Sequence, residues 1–263
     1  MNIDASLRDL WTPTDDGTYS LTLPTGWMQG RSMFGGLTAA AMASLGHRSV
    51  EDEDRALRTA SVQLLAPLTP GVVSGSSTIL REGRNITFVE VRLEQDDVLV
   101  GRTTLVFAKP RESALDVHAP RAAKIDDPES LTRMPYIEGV VPEFTQNVDM
   151  RWADGRPPFM GASEAKFTGV FRYLVPLGDS EGLLALLDTY PPPTLSLAKT
   201  PTFASTVSWS AHLLVTPASF EDWFTVQYET LVGAHGLHTS VAKLHDAEGT
   251  LLAWSEQLVA VFG

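Results

Sequence analysis

Residues 17–24 (GTYSLTLP) alternate polar and apolar positions, the period of two expected of a half-buried strand. After Gly35-Gly36 the pattern changes. Residues 37–46 (LTAAAMASLG) are small or apolar on every side, which predicts a helix buried all round rather than one with a wet face. Four strand-like runs follow at 58–67, 72–81, 86–94 and 99–109. Turn signals separate them at Thr69-Pro70-Gly71, Glu82-Gly83 and Asp96-Asp97. The predicted order is strand, central helix, four strands.

Between 110 and about 161 the periodicity fades. Prolines at 110, 120, 128, 135, 142 and 157 interrupt it, with one strand-like run near 144–152, so this stretch reads as a linker at a domain boundary. The outline then repeats. Residues 167–175 (FTGVFRYLV) read as a strand, and Asp179-Ser180 can cap a helix over 181–188 that Pro191-Pro192-Pro193 ends. Strand-like runs follow at 203–215, 224–231, 239–245 and 251–262. Two local echoes support a duplication. Thr59-Ala60-Ser61-Val62 resembles Thr206-Val207-Ser208-Trp209, and the run from Val91-Arg92-Leu93 to Phe107 resembles that from Val241 to Phe262. The expected organisation is an N-terminal domain over 1–112, a linker over 113–161 and a C-terminal domain over 162–263.

Composition narrows the chemistry. Lys plus Arg is 20 against 32 Asp plus Glu, a formal charge of -12, and the basic residues do not cluster, so a nucleic-acid partner is not expected. The absence of cysteine excludes a thiolate nucleophile, a disulfide framework and a Cys-ligated metal. Asp4, Arg8 and Asp9 interrupt the first residues, so no secretory h-region is expected there. The longest apolar stretch, 37–45, falls far short of the roughly 20 residues of a membrane helix. A cytoplasmic protein with no membrane partner is the expectation. No G-x-S-x-G elbow, Walker A loop or G-x-G-x-x-G fingerprint occurs. The histidines at 47, 118, 212, 235, 238 and 245 lack H-E-x-x-H spacing, and no metal site is expected.

The stretch Arg31-Ser32-Met33-Phe34-Gly35-Gly36 before an Ala-rich helix resembles the helix start of type II acyl-CoA thioesterases. The likeness extends through Leu65-Ala66-Pro67 and Leu80-Arg81-Glu82-Gly83 to Phe107. It resumes at Leu187-Asp188, Thr206, Phe220-Glu221-Asp222-Trp223 and the run from Asp246 to Gln257. The resemblance implies an α+β double hotdog: two antiparallel sheets, each wrapping a central helix, packed as a pseudo-dimer. It implies an Asp, a Ser or Thr, and a Gln that hold the attacking water, here Asp188, Thr206 and Gln257. The family often carries an acid two positions after the Thr; Ser208 stands there, which leaves the trio whole and the pocket less acidic.

The residue types suit the reaction. Thioester hydrolysis needs a base for water, groups that orient it, and donors for the developing oxyanion. Asp188 supplies a carboxylate, Thr206 a hydroxyl and Gln257 an amide. Phe34, Gly35 and Gly36 mark a helix start whose free N–H groups and dipole favour negative charge, with no side chain to block approach. The first helix has the glycine pair but no carboxylate, and the second has Asp188 but no glycine pair. One working site shared between the halves is therefore expected.

Plainer readings stand beside these. Asp188 before a proline run can be a turn or cap residue, although a carboxylate in a helix's last turn opposes the dipole. Thr206 can be an ordinary β-former. Alternation does not decide which face Gln257 takes, and Gly35-Gly36 can serve close packing alone. The resulting expectation is an acyl-CoA thioesterase of fatty acid metabolism. CoA is then part of the substrate, no separate cofactor is needed, and Arg81 and Arg84 are candidate ligands of the CoA phosphates. A homo-oligomer is expected from exposed sheet edges. The alternative is a hotdog module that binds acyl-CoA or an acyl chain without cutting it. A hotdog hydratase ranks last, because no His follows Asp188 closely.

Overall fold

The structure, a computed structural model, describes residues 9–175, 177 and 180–262. The chain starts with β1 (Thr12–Pro13), β2 (Tyr19–Leu23) and the short hairpin β3 (Met28–Gln29) and β4 (Ser32–Met33). Helix α1 (Gly35–His47) follows directly, then β5 (Ala56–Leu64), β6 (Gly71–Glu82), β7 (Ile86–Gln95) and β8 (Val98–Ala108). The second half comprises β9 (Val148–Asp154), β10 (Lys166–Tyr173) and α2 (Gly182–Leu187). It ends with β11 (Phe203–Leu213), β12 (Phe224–Ala234), β13 (Leu237–His245) and β14 (Leu251–Phe262). Asp179, a predicted cap of the second helix, lies outside the described residues.

The repeat seen in the sequence is a repeat of topology. Counted outward from the middle of the sheet, the first half runs β5, β8, β7, β6, β2 and the second runs β11, β14, β13, β12, β10. Each half is thus one strand, one helix and four strands, with the strand after the helix innermost. The echoed tetrapeptides meet where the halves join: Val62 pairs with Trp209 across β5 and β11.

Two expectations are corrected here. The halves do not form two separate sheets, because β5 and β11 pair antiparallel and fuse them into one sheet of twelve strands. Joining two inner edge strands satisfies backbone donors and acceptors that separate sheets would leave open. The segment 113–161 is not linker throughout. Its last part contains β9, which pairs with β10 and forms the outer edge of the second half. Just before β9, the side chains of Gln146 and Asn147 both donate to the Gly26 carbonyl, and Glu143 accepts from the Met28 amide. The connection is thereby pinned beside the entrance to α1.

Helix α1 is buried from Gly35 to Gly46 and packs on β5 to β8, while α2 packs on β13 and β14. The two helices also pack on each other, end against opposite end. Glu181, just before α2, meets His47 at the end of α1, with 2.6 Å between Oε1 and Nδ1. At the other end a Cβ on Gly36 would lie 2.8 Å from the Ala185 Cα. Backbone approach this close tolerates only glycine. A Gly36→Ala variant is therefore expected to lower the unfolding free energy by roughly 1–3 kcal/mol in a urea titration. At an unconstrained helix position the same change raises stability, so an unchanged or higher midpoint would contradict this packing.

Candidate active site

The entry to α1 and the exit of α2 form one constellation. Phe34 is the residue before the helix, fully buried, and its ring stacks on Phe144 at 4.1 Å between centroids. Trp27 stacks on Phe34 from the other direction and on Tyr173 of β10. The Tyr173 hydroxyl lies 3.0 Å from the Thr189 hydroxyl, next to Asp188 in the chain. Aromatic contacts from both halves thus clamp the first turn of α1 against the last turn of α2.

Asp188 closes the gap. It follows α2 directly, the residue is partly buried, and its carboxylate faces the Gly36 N–H, one of the first-turn amides that have no acceptor inside their own helix. A Cβ on Gly35 would lie 2.8 Å from Asp188 Oδ2. Both glycines are therefore required by packing, Gly35 to admit the carboxylate and Gly36 to admit α2. The positive end of α1 explains how an acid is tolerated at the end of α2, where its own helix disfavours it.

Two strands deliver the remaining groups. Gln257 sits in β14 between Glu256, which is exposed, and Leu258; its own side chain points inward and is 2% exposed. Its Nε2 donates to Asp188 Oδ1 at 2.9 Å. Thr206 reaches the same amide only because β11 carries a bulge. The register against β14 shifts between Thr206 and Ser208, and Val207 points outward, so Thr206 and Trp209 share the inner face although they are three residues apart. Thr206 then donates from Oγ1 to Gln257 Oε1 at 3.2 Å. A second hydroxyl arrives from β12: Tyr228 donates to the same Oε1 at 3.3 Å.

Burial decides the electrostatics. Loss of hydration raises the Asp188 carboxyl to about 7, against the opposing pull of the donors from Gln257 and Gly36. An acid poised near neutrality, with part of its residue still reached by solvent, can accept and return a proton at working pH. Among the described residues no group of His, Asp and Glu could hold a metal.

The family models fit this chain across both halves. Residues 23–108 match the acyl-CoA thioesterase N-terminal domain, and residues 128–261 match the acyl-CoA thioesterase C-terminal domain. The chain belongs to the acyl-CoA thioesterase family. No curated protein matches it. Among solved structures, a conserved hot dog fold protein of unknown function from Alicyclobacillus acidocaldarius is similar at a TM-score of 0.85 and 21% identity, covering 99% of both chains. An acyl-CoA thioesterase II from Mycobacterium marinum is similar at 0.75 and 13% identity, covering 98% of this chain and 99% of its own. The tesB protein of Mycobacterium avium subs paratuberculosis gives 0.76 and 15%, covering 98% and 100%. These likenesses establish the hotdog fold.

Within this thioesterase-family chain the structure brings Asp188, Thr206, Gln257, Gly35 and Gly36 together. Phe34 is present as a packing ring, and the Gly36 amide faces Asp188. Ser208 lies past the bulge and outside the hydrogen-bonded set. Arg81 and Arg84 lie toward the other end of the first half from the glycine pair. Leu64, beside Gly35, pairs with Gly101, whereas the β6–β7 turn carrying Arg84 lies by Ala108 and Ala56. Eight residues of β5 separate the two ends, about 25 Å at the usual strand rise. Tyr228 was missed, because an isolated tyrosine in a strand has no sequence signal beyond β-propensity.

The raised carboxyl has a consequence for stability. Between about pH 4 and 7 the folded protein holds a proton on Asp188 that the unfolded chain, with an ordinary carboxyl near 3.8, releases. This contribution is therefore complete below about pH 4 and is lost as pH rises toward 7. The stability of the native chain relative to Asp188→Asn should fall by roughly 1 kcal/mol per pH unit between about pH 5 and 7, then level off. Chemical denaturation at a series of pH values measures it; a difference that does not vary with pH would contradict a raised carboxyl.

Proposed function

We propose that the protein hydrolyses an acyl-CoA thioester to a free acid and CoA by direct attack of water, with Asp188 as general base. The observation that carries this reading is a buried carboxyl from the second half, ionisable near neutrality and set against the first turn of α1 from the first half. The two halves act as a pseudo-dimer that builds one working site from unequal contributions.

In the forward step Asp188 takes a proton from water as the water oxygen bonds to the thioester carbon. The carbonyl oxygen gains the negative charge. That charge is met by the dipole and the first-turn amides of α1, in keeping with the electrostatics of a helix start. As the C–S bond breaks, the proton on Asp188 passes to the departing sulfur. Thr206 and Gln257 hold the base in place, Gln257 by a direct bond and Thr206 by fixing the amide. The family membership supports CoA as the group carried on sulfur.

A panel of acyl-CoAs, from short to long chains and including aromatic thioesters, tests the proposal by release of free CoA. Hydrolysis of at least one member is expected, with kcat/KM falling below about pH 7 as Asp188 is protonated. Asp188→Asn should reduce turnover by roughly 100-fold or more. Tight acyl-CoA binding with no CoA release would favour the non-catalytic binding module instead.

A further inference from the structure

We infer that Tyr228 is a positioning residue which, together with Thr206, locks the Gln257 amide in the one orientation that presents its N–H to Asp188. The inference rests on the hydrolase reading for its kinetic consequence and on geometry alone for the lock itself.

An amide has two faces that look alike in shape and opposite in chemistry: its oxygen only accepts and its nitrogen only donates. Gln257 is buried between three groups, the Asp188 carboxylate on one side and the hydroxyls of Thr206 and Tyr228 on the other. An ionised Asp188 demands the nitrogen. Once Asp188 has taken a proton from water, it becomes a donor and would equally accept an amide turned around. A flipped Gln257 would then be retained after each turnover unless something penalises it.

The hydroxyls supply that penalty. Both direct their protons at Oε1, which has two acceptor sites and fills both with them. Thr206 is partly buried and on a bulge, so it can turn toward water. Tyr228 cannot. It is 2% exposed on the inner face of β12, and Gln257 is the acceptor its hydroxyl uses. Flipping the amide would point an N–H at a buried O–H with nowhere else to donate, an unmet donor in a place without water. Tyr228 therefore restores the productive amide each time Asp188 loses its proton. The titratable groups whose charge couples to Asp188 are the phenols of Tyr173 on β10 and Tyr228 on β12, both held neutral by burial. The facing residues of α1, Gly35 and Gly36, carry no ionisable group.

The test is a double-mutant cycle. Tyr228→Phe keeps the ring and removes the donor. It should lower kcat by roughly tenfold with KM unchanged, on the scale of a misplaced catalytic group. It should also move the acid limb of the pH profile upward, because a loosened amide stabilises the Asp188 anion less. In a Gln257→Leu background, the same change should have no further effect on the residual rate or on the limb. An equal loss in both backgrounds, or no loss in either, would overturn the lock. A readout without turnover separates this from the hydrolase reading: hydrogen exchange of the Gln257 side-chain amide followed by 1H–15N spectroscopy. Exchange should quicken at least tenfold in Tyr228→Phe. If no acyl-CoA is hydrolysed, the hydrolase reading fails, while faster exchange still supports the lock and unchanged exchange refutes it.

Discussion

The contact between the first turn of one helix and a carboxylate at the end of the other organises this molecule. Asp188 belongs to the second half and Gly35-Gly36 to the first, so the contact exists only when both halves have folded and met. It places an anion at a helix N-terminus, where the dipole favours it, and it does so in a site that strips water from the carboxyl. Those two effects oppose each other. Desolvation wins, and the outcome is an acid that titrates near neutrality rather than near the ordinary value.

The rest of the fold serves this contact. A twelve-stranded sheet fused through β5 and β11 fixes the spacing of the two helices, and small residues along α1 let them approach. The aromatic group of Trp27, Phe34, Phe144 and Tyr173 holds the helix entry from both halves. One bulge in β11 turns Thr206 inward, and the Gln257 amide joins hydroxyls on β11 and β12 to the acid. At the opposite end of the helix pair the matching position holds His47 against Glu181, with no carboxylate inside α1 and no glycine pair inside α2. The halves share a topology and differ in chemistry.

Much of this was legible in the residues and some was not. The order of strands and helices followed from apolar periodicity and turn signals, and the duplicated outline from the Thr59–Val62 and Thr206–Trp209 echo. The roles of Asp188, Thr206 and Gln257 came from the family likeness rather than from pattern, and the plain readings of Asp188 as a cap and Gly35-Gly36 as close packing turn out to describe real contacts as well. The bulge was invisible because one inserted residue leaves no mark in composition, yet it decides which face Thr206 takes. Fusion into one sheet was equally hidden, since pairing of edge strands depends on backbone groups common to every residue. The arginines show the same limit: Arg81 and Arg84 are near the glycine pair in sequence order of elements and a strand length away in space.

The central claim is that a carboxyl from one half is buried against amides of the other and thereby poised near neutrality. A direct titration of the Asp188 side-chain carbon by 13C spectroscopy, in the substrate-free protein, tests it most directly. A midpoint near 7 is the expected result. A midpoint close to that of a carboxylate in water would mean that the acid faces solvent, and that the two halves do not enclose a common site.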